Sequence, residues 1–295
     1  MLAFPIILSL ISGAMYSFNG IFVKFFSKHF KGDKSDSSSL YSIMLGIIIA
    51  IVSFFINACK FRFSYITLII AAVNCVGLLV HNHFIVKAMS VGPYSIISVS
   101  CMAGGIIMPL IVTALAFSDI PTYIQLAGIA VMFIAFIIMC LGDSNSDISD
   151  KKKYFLYLVI LFVANGVCVL GYSLEKRIEG GAYKQEMIMM EYVMSFLFSF
   201  ITLIVKKKKD TFTVFRQSGK FYLFAILACV TLGLGNNLQV FSISSISEAV
   251  AFTIKNGTSI FLSAILSLLI FSEKIRAKKW VGIAAVLVSI CLLAI

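Results

Sequence analysis

Lys255 stands inside an apolar run that extends from residue 247 to 271, with Glu248 seven residues before it on the same helical face and Thr258 and Ser259 after it. An ammonium there is costly unless a counter-charge, a water-filled cavity or an anionic ligand meets it. Lys255 is therefore the foremost candidate for a substrate-binding residue, and an ion pair with Glu191 or Glu248 is the structural alternative. Glu191 lies a turn or more inside another run, 187–205, with Ser195, Ser199 and Thr202 following on its face. A carboxylate can carry a proton through an apolar region, so Glu191 is the candidate for proton coupling. Its alternative is an interfacial residue reaching toward headgroups.

Other polar residues fall into stripes. Ser9, Ser12, Tyr16 and Asn19 recur at spacings of three and four, and so do Asn165, Cys168, Tyr172 and Glu175. Each stripe is either one wall of a cavity or hydrogen-bonded glue between helices; Tyr16, Asn19, Asn165 and Tyr172 are its candidates for substrate contact. His81 and His83 are two residues apart, which turns them about 200° from each other on a helix. They cannot meet on one metal ion, and neither a metal nor a cofactor is expected. His81 and Asn236 are predicted to face the cavity, whereas Lys87, near a helix end, reaches for the interface. Gly104, Gly105 and Pro109 interrupt one run and are candidates for a gate, with close packing as the alternative. The sequon Asn256-Gly257-Thr258 lies within a run, where glycosylation is not expected.

What must position these residues follows from composition. Of 295 residues, 60% are hydrophobic and 13% charged, with a mean hydropathy of +1.03, against about 25% charged in soluble domains. A span of a bilayer takes about 20 apolar residues. Ten runs meet that need: roughly 4–26, 39–59, 65–87, 93–117, 122–142, 154–175, 187–205, 220–242, 247–271 and 277–295. Helix is the element that satisfies every backbone group within each run, and the runs are too long and too continuously apolar for barrel strands. The first run lacks a basic segment before it and a cleavage site after it, and is read as a retained first helix. The fold expected is an all-α integral membrane protein.

The chain also repeats. With a shift of 154, Asn82 meets Asn236, Phe117-Ser118-Asp119 meets Phe271-Ser272-Glu273, and Gly128-Ile129-Ala130 meets Gly282-Ile283-Ala284. With a shift of 153, Gly13 meets Gly166 and Lys24 meets Arg177. The division predicted is 1–142, a polar linker 143–153, and 154–295. Five spans in each half invert the second half relative to the first. Inverted repeats are the architecture of many secondary transporters, whose substrate site lies at the repeat interface.

At these residues the chain resembles the drug/metabolite transporter superfamily in its ten-helix EamA form. The resemblance rests on Ala88-Met89-Ser90-Val91-Gly92-Pro93, on the acidic residues Asp119 and Glu273 after matched spans, and on Gln125-Leu126-Ala127-Gly128 echoed by Lys279-Trp280-Val281-Gly282. It implies an inward-facing and outward-facing cycle and export or exchange of metabolites. Small four-helix relatives carry a buried Glu in the first helix; this first helix has none, so drug-cation antiport by that mechanism is not expected.

The net charge of +11 sits in short runs such as Lys151–Lys153 and Lys206–Lys209, which flank apolar stretches. That pattern suits membrane surfaces rather than nucleic acid. The seven cysteines have no CxxC spacing and read as small apolar residues. No nucleophile–base motif, phosphate loop or HExxH is present, so a lipid-active membrane enzyme is disfavoured, as is primary transport driven by this chain's own ATP hydrolysis. Intramembrane charges count against a non-transporting subunit. The reading reached is a secondary transporter of a small anionic or zwitterionic, amino-acid-like metabolite, acting as monomer or homodimer in the cell membrane, with proton coupling through Glu191. Multidrug efflux of lipophilic cations is the rival. Eighteen Lys and Arg residues fall to loops after odd-numbered spans and five to loops after even-numbered ones. By the positive-inside rule both termini are then non-cytoplasmic, whereas the family resemblance places them in the cytoplasm.

Overall fold

A computed structural model describes residues 3–117, 122–141, 150–207, 214–246, 248–271 and 277–293. Within them the chain forms ten α-helices: α1 Ala3–His29, α2 Lys34–Ile56, α3 Tyr65–Met89, α4 Tyr94–Phe117, α5 Tyr123–Leu141, α6 Lys151–Glu179, α7 Lys184–Lys207, α8 Gly219–Ser245, α9 Glu248–Phe271 and α10 Ala277–Leu293. Eight are long and apolar enough to cross a bilayer; α5 and α10 contribute shorter apolar stretches, Tyr123–Ala135 and Trp280–Leu292. The outer surface is apolar, with Leu115 83%, Val205 69% and Phe55 67% exposed. Water would not tolerate so continuous an apolar surface; lipid does. The protein is a multi-pass membrane protein.

Capping side chains carry several helices past the apolar boundary. Asp33 accepts from Ser35 N at 2.9 Å and starts α2 five residues earlier than hydrophobicity alone indicates. Asp150 accepts from Lys153 N at 3.1 Å, so the lysine run of the expected linker is the first turn of α6. Residues 143–149 of that linker lie outside the described residues, as do Asp119 and Glu273 and the side chain of Glu248. At its other end α2 stops at Ile56, and Ala58 and Cys59 follow with φ of 53° and 57°, a left-handed turn that non-glycine residues seldom adopt.

Packing alternates between the halves. α1 lies along α8 and α9, and α6 lies along α3 and α4; α2 pairs with α7, and α5 with α10. Exchanging each helix for the one five places away leaves this pattern unchanged. Individual contacts recur in the same way. Lys24 Nζ sits 4.2 Å over the Phe271 ring, and Arg177 sits 5.3 Å over Phe117, joining positions that the repeat had matched. A Cβ on Gly13 would meet the Lys255 carbonyl and, at 2.8 Å, Thr258; one on Gly166 would meet Met108 and, at 2.8 Å, the Gly104 carbonyl.

Both ends of the α2–α7 pair are tied by charge. Lys206 Nζ lies 2.9 Å from Asp36 and 3.5 Å from Asp33. At the opposite end Glu186, with its side chain 1% exposed, accepts from Arg62 Nε and Asn57 Nδ2, both at 3.2 Å. The Arg62 side chain is 60% exposed, so solvent screens this pair. Glu186→Ala is expected to cost about 1 kcal/mol, by removing the acceptor that Asn57 and Arg62 share while each keeps a backbone carbonyl, of Lys60 and of Ala182. A melting curve in detergent would test this, and an unchanged midpoint would show the tie to be dispensable.

Candidate functional site: a central cavity between the halves

The middle of the bundle encloses a cavity with a free volume of ≈ 90 Å³. At the liquid volume of about 30 Å³ per water, the space holds roughly three waters or one compact organic solute. Its wall is built by α1, α2, α3 and α4 from one half and α6, α7, α8 and α9 from the other. Tyr16, Asn19, His81, Asn165, Tyr172, Glu191, Asn236 and Lys255 all line it. The repeat-matched asparagines Asn82 and Asn236 both belong to the wall, as does Cys101, the counterpart of Lys255 under the same shift of 154.

Lys255 is 3% exposed. Its Nζ lies 4.5 Å from the Tyr16 ring centre and 5.3 Å from that of Phe252. Among the described residues no carboxylate lies within ion-pairing distance of it, so the pair with Glu191 weighed from sequence is not formed. α1 and α9 meet closely here, because Gly13 lets the α9 backbone approach at Lys255 itself. Aromatic faces stabilise the ammonium only in part; its hydrogen-bonding capacity remains for a ligand or for water in the cavity.

Glu191 is 2% exposed, and its Oε2 has no hydrogen-bond partner among the described residues. Asn74 is beside it and donates to the Cys168 carbonyl at 3.1 Å. The cavity thus holds an ammonium and a carboxylate that are not neutralised by each other. Around them runs a hydrogen-bonded frame. Tyr16 Oη donates to Asn236 Oδ1, and Asn236 Nδ2 donates to Tyr192 Oη at 3.0 Å. Asn19 donates to Tyr41 Oη at 3.0 Å and to the Ala228 carbonyl at 2.8 Å. Asn165 donates to the Cys101 carbonyl at 2.6 Å, and Cys101 Sγ lies 3.6 Å from His81 Nε2.

The stripes divide between the two roles considered for them. Ser9 bonds Ser242 at 2.6 Å and Ser12 donates to the Gly235 carbonyl at 2.8 Å, fastening α1 to α8, while Tyr16 and Asn19 on the same stripe reach the cavity. Asn165, Cys168 and Tyr172 reach it from α6, but Glu175 turns to the loop and accepts from Tyr183 N at 2.8 Å. Of the residues following Glu191, Ser199 and Thr202 line a separate groove with His83 and Ser38; His83 Nδ1 lies 3.1 Å from Ser38 Oγ. His81 and His83 therefore serve different sides of α3. Gly104, Gly105 and Pro109 are not part of the wall; α4 runs unbroken through Pro109, and Gly104 touches the α6 backbone at Phe162. Tyr41, Tyr94 and Tyr192 line the cavity without having been singled out from sequence. A tyrosine in an apolar helix carries no mark that separates cavity from core.

The chain is thus an all-helical membrane protein with a central cavity, largely apolar but edged by several polar and two charged side chains, between its two sets of helices. The second half of the chain, residues 155–295, matches the model of the EamA-like transporter family, of the drug/metabolite transporter superfamily. The protein is a membrane transporter. No curated protein matches its sequence. A solved crystal structure described without a function aligns with 99% of this chain and 98% of its own, at a TM-score of 0.67 and 9% identity, a likeness of fold alone.

Proposed function

We propose that this transporter moves a small anionic or zwitterionic, amino-acid-like metabolite across the cell membrane, using the central cavity as its binding site. The observation that carries this reading is Lys255, a buried ammonium at the cavity wall with no carboxylate partner among the described residues. His81 and Asn236 add polar contacts, and Glu191 exchanges a proton during the cycle. Alternating access would come from two inverted five-helix halves, 1–142 and 154–295, an arrangement supported by the matched packing and the matched cation–π pairs. A thermal-shift screen of purified protein against metabolites and drugs across pH tests the substrate class, because a ligand of the native state raises its stability by mass action. Stabilisation by amino acids or organic anions is expected.

The second reading, efflux of lipophilic cations, draws on Glu191, whose Oε2 has no hydrogen-bond partner among the described residues, in a tyrosine-lined chamber. Hits among lipophilic cations alone would establish it in place of the first. In proteoliposomes Glu191→Gln is expected to flatten the pH dependence of uptake, since the amide cannot exchange a proton. An unaltered pH profile would remove Glu191 from the coupling mechanism. Charge distribution orients both termini to the non-cytoplasmic side; a reporter fused to the C-terminus that is active only in the cytoplasm should stay silent.

A further inference from the structure

Five tyrosines line the cavity, and their hydroxyl protons are not equivalent. Tyr94 donates its proton to the Ser17 carbonyl at 2.9 Å. Tyr41 instead accepts from Asn19 Nδ2. The direction is fixed by the other partner of that amide: a backbone carbonyl, that of Ala228, can only accept, so the atom facing both must be the nitrogen. Tyr41 therefore keeps its own proton for another acceptor. At Asn236 the amide bridges two hydroxyls, receiving a proton from Tyr16 and giving one to Tyr192. Whichever way that amide is turned, it takes up one hydroxyl proton and leaves one over; in the geometry present, Tyr192 keeps its proton. Tyr41 and Tyr192 occupy α2 and α7, the helices that pair with each other across the two halves.

We infer that Tyr41 and Tyr192 are specificity-determining residues, presented as hydrogen-bond donors to an anionic oxygen group of the substrate and held in that sense by Asn19 and Asn236. With Lys255, which lines the same cavity, they make it a recognition site for a carboxylate or another oxyanion. The asparagines act as positioning residues. This assignment rests on the cavity being the substrate site.

The test uses the common amino acids and their carboxamides as probes of the full-length protein in detergent, with dissociation constants from titration. A hydrogen bond to a charged group contributes enough for roughly a tenfold change in affinity. Wild type should bind at least one amino acid more tightly than its carboxamide. Tyr41→Phe and Tyr192→Phe should each weaken the acid roughly tenfold while shifting the carboxamide less than about threefold. Equal losses for acid and carboxamide would mean that the rings only shape the cavity, which overturns the donor assignment while the substrate reading stands. No loss in either variant overturns it as well. If wild type binds none of the amino acids, the substrate reading itself fails, and the donor assignment with it.

Discussion

Replacing Lys255 with methionine is expected to stabilise the substrate-free protein while lowering its affinity for an acidic substrate by about 30-fold or more. The two effects have one cause. A lysine at the centre of a span costs about 2.5–3.5 kcal/mol relative to water; Lys255, two turns inside α9, bears up to that, and two aromatic faces offset only part of it. Methionine fills similar space and carries no charge, so the empty protein should gain about 1–3 kcal/mol. The substrate, however, loses its counter-ion in a site with little water. Melting curves with and without substrate would read both effects: the variant should melt higher alone and show almost no ligand-induced rise. A variant that melts lower than wild type would reveal that the ammonium has a structural partner, with Glu248 on the same face the first to examine. That result would move Lys255 from binding to architecture.

Gly104→Ala should cause the largest loss of stability among single-methyl changes, about 3 kcal/mol, at the upper end for overpacked cores. The added carbon would press on the carbonyl and Cα of Phe162, which are backbone atoms that cannot swing aside. The contact is reciprocal, because Gly166 one turn further along α6 packs against the Gly104 carbonyl. α4 and α6 would have to separate, and α6 carries Asn165, Cys168 and Tyr172 of the cavity wall. Ligand binding should therefore fall together with stability. Gly105→Ala offers the control: its new carbon meets the Asn165 side chain at 2.8 Å, which can turn away at the expense of its bond to the Cys101 carbonyl. That substitution should cost about 1 kcal/mol. Equal melting points for the two alanine variants would contradict the packing argument.

The charged cavity residues were legible because lipid makes a charge conspicuous. Lys255 and Glu191 stand out in runs that otherwise contain almost no charge, and both line the cavity. The asparagines at 82 and 236 were marked by the repeat, and both are there too. Hydroxyl residues were harder, since a serine on a polar stripe serves helix packing as well as it serves a ligand: Ser9 and Ser12 fasten α1 to α8, two turns and one turn from Tyr16 respectively. Tyrosines were hardest. Tyr41 and Tyr192 look like any aromatic in an apolar helix, and what distinguishes them is an asparagine distant in sequence, Asn19 for one and Asn236 for the other. Helix ends were misjudged for a different reason. Hydrophobicity marks where lipid stops, whereas Asp33 and Asp150 continue the backbone spiral beyond it by capping.

The left-handed turn after α2 gives the molecule a natural sidedness marker. Among the described residues Cys59, in that turn, and Cys291, near the end of α10, are exposed, whereas Cys75, Cys101 and Cys229 are buried within the bundle and Cys168 is largely enclosed. With the other cysteines replaced by serine, a maleimide too polar to cross a bilayer should modify Cys59 from one side of the membrane alone. Two crossings, α1 and α2, separate that turn from the start of α1 and return the chain to the same side, so labelling of intact cells carrying that variant would read out its insertion. Modification from outside would uphold the charge distribution, and protection until the cells are opened would uphold the orientation usual in the family.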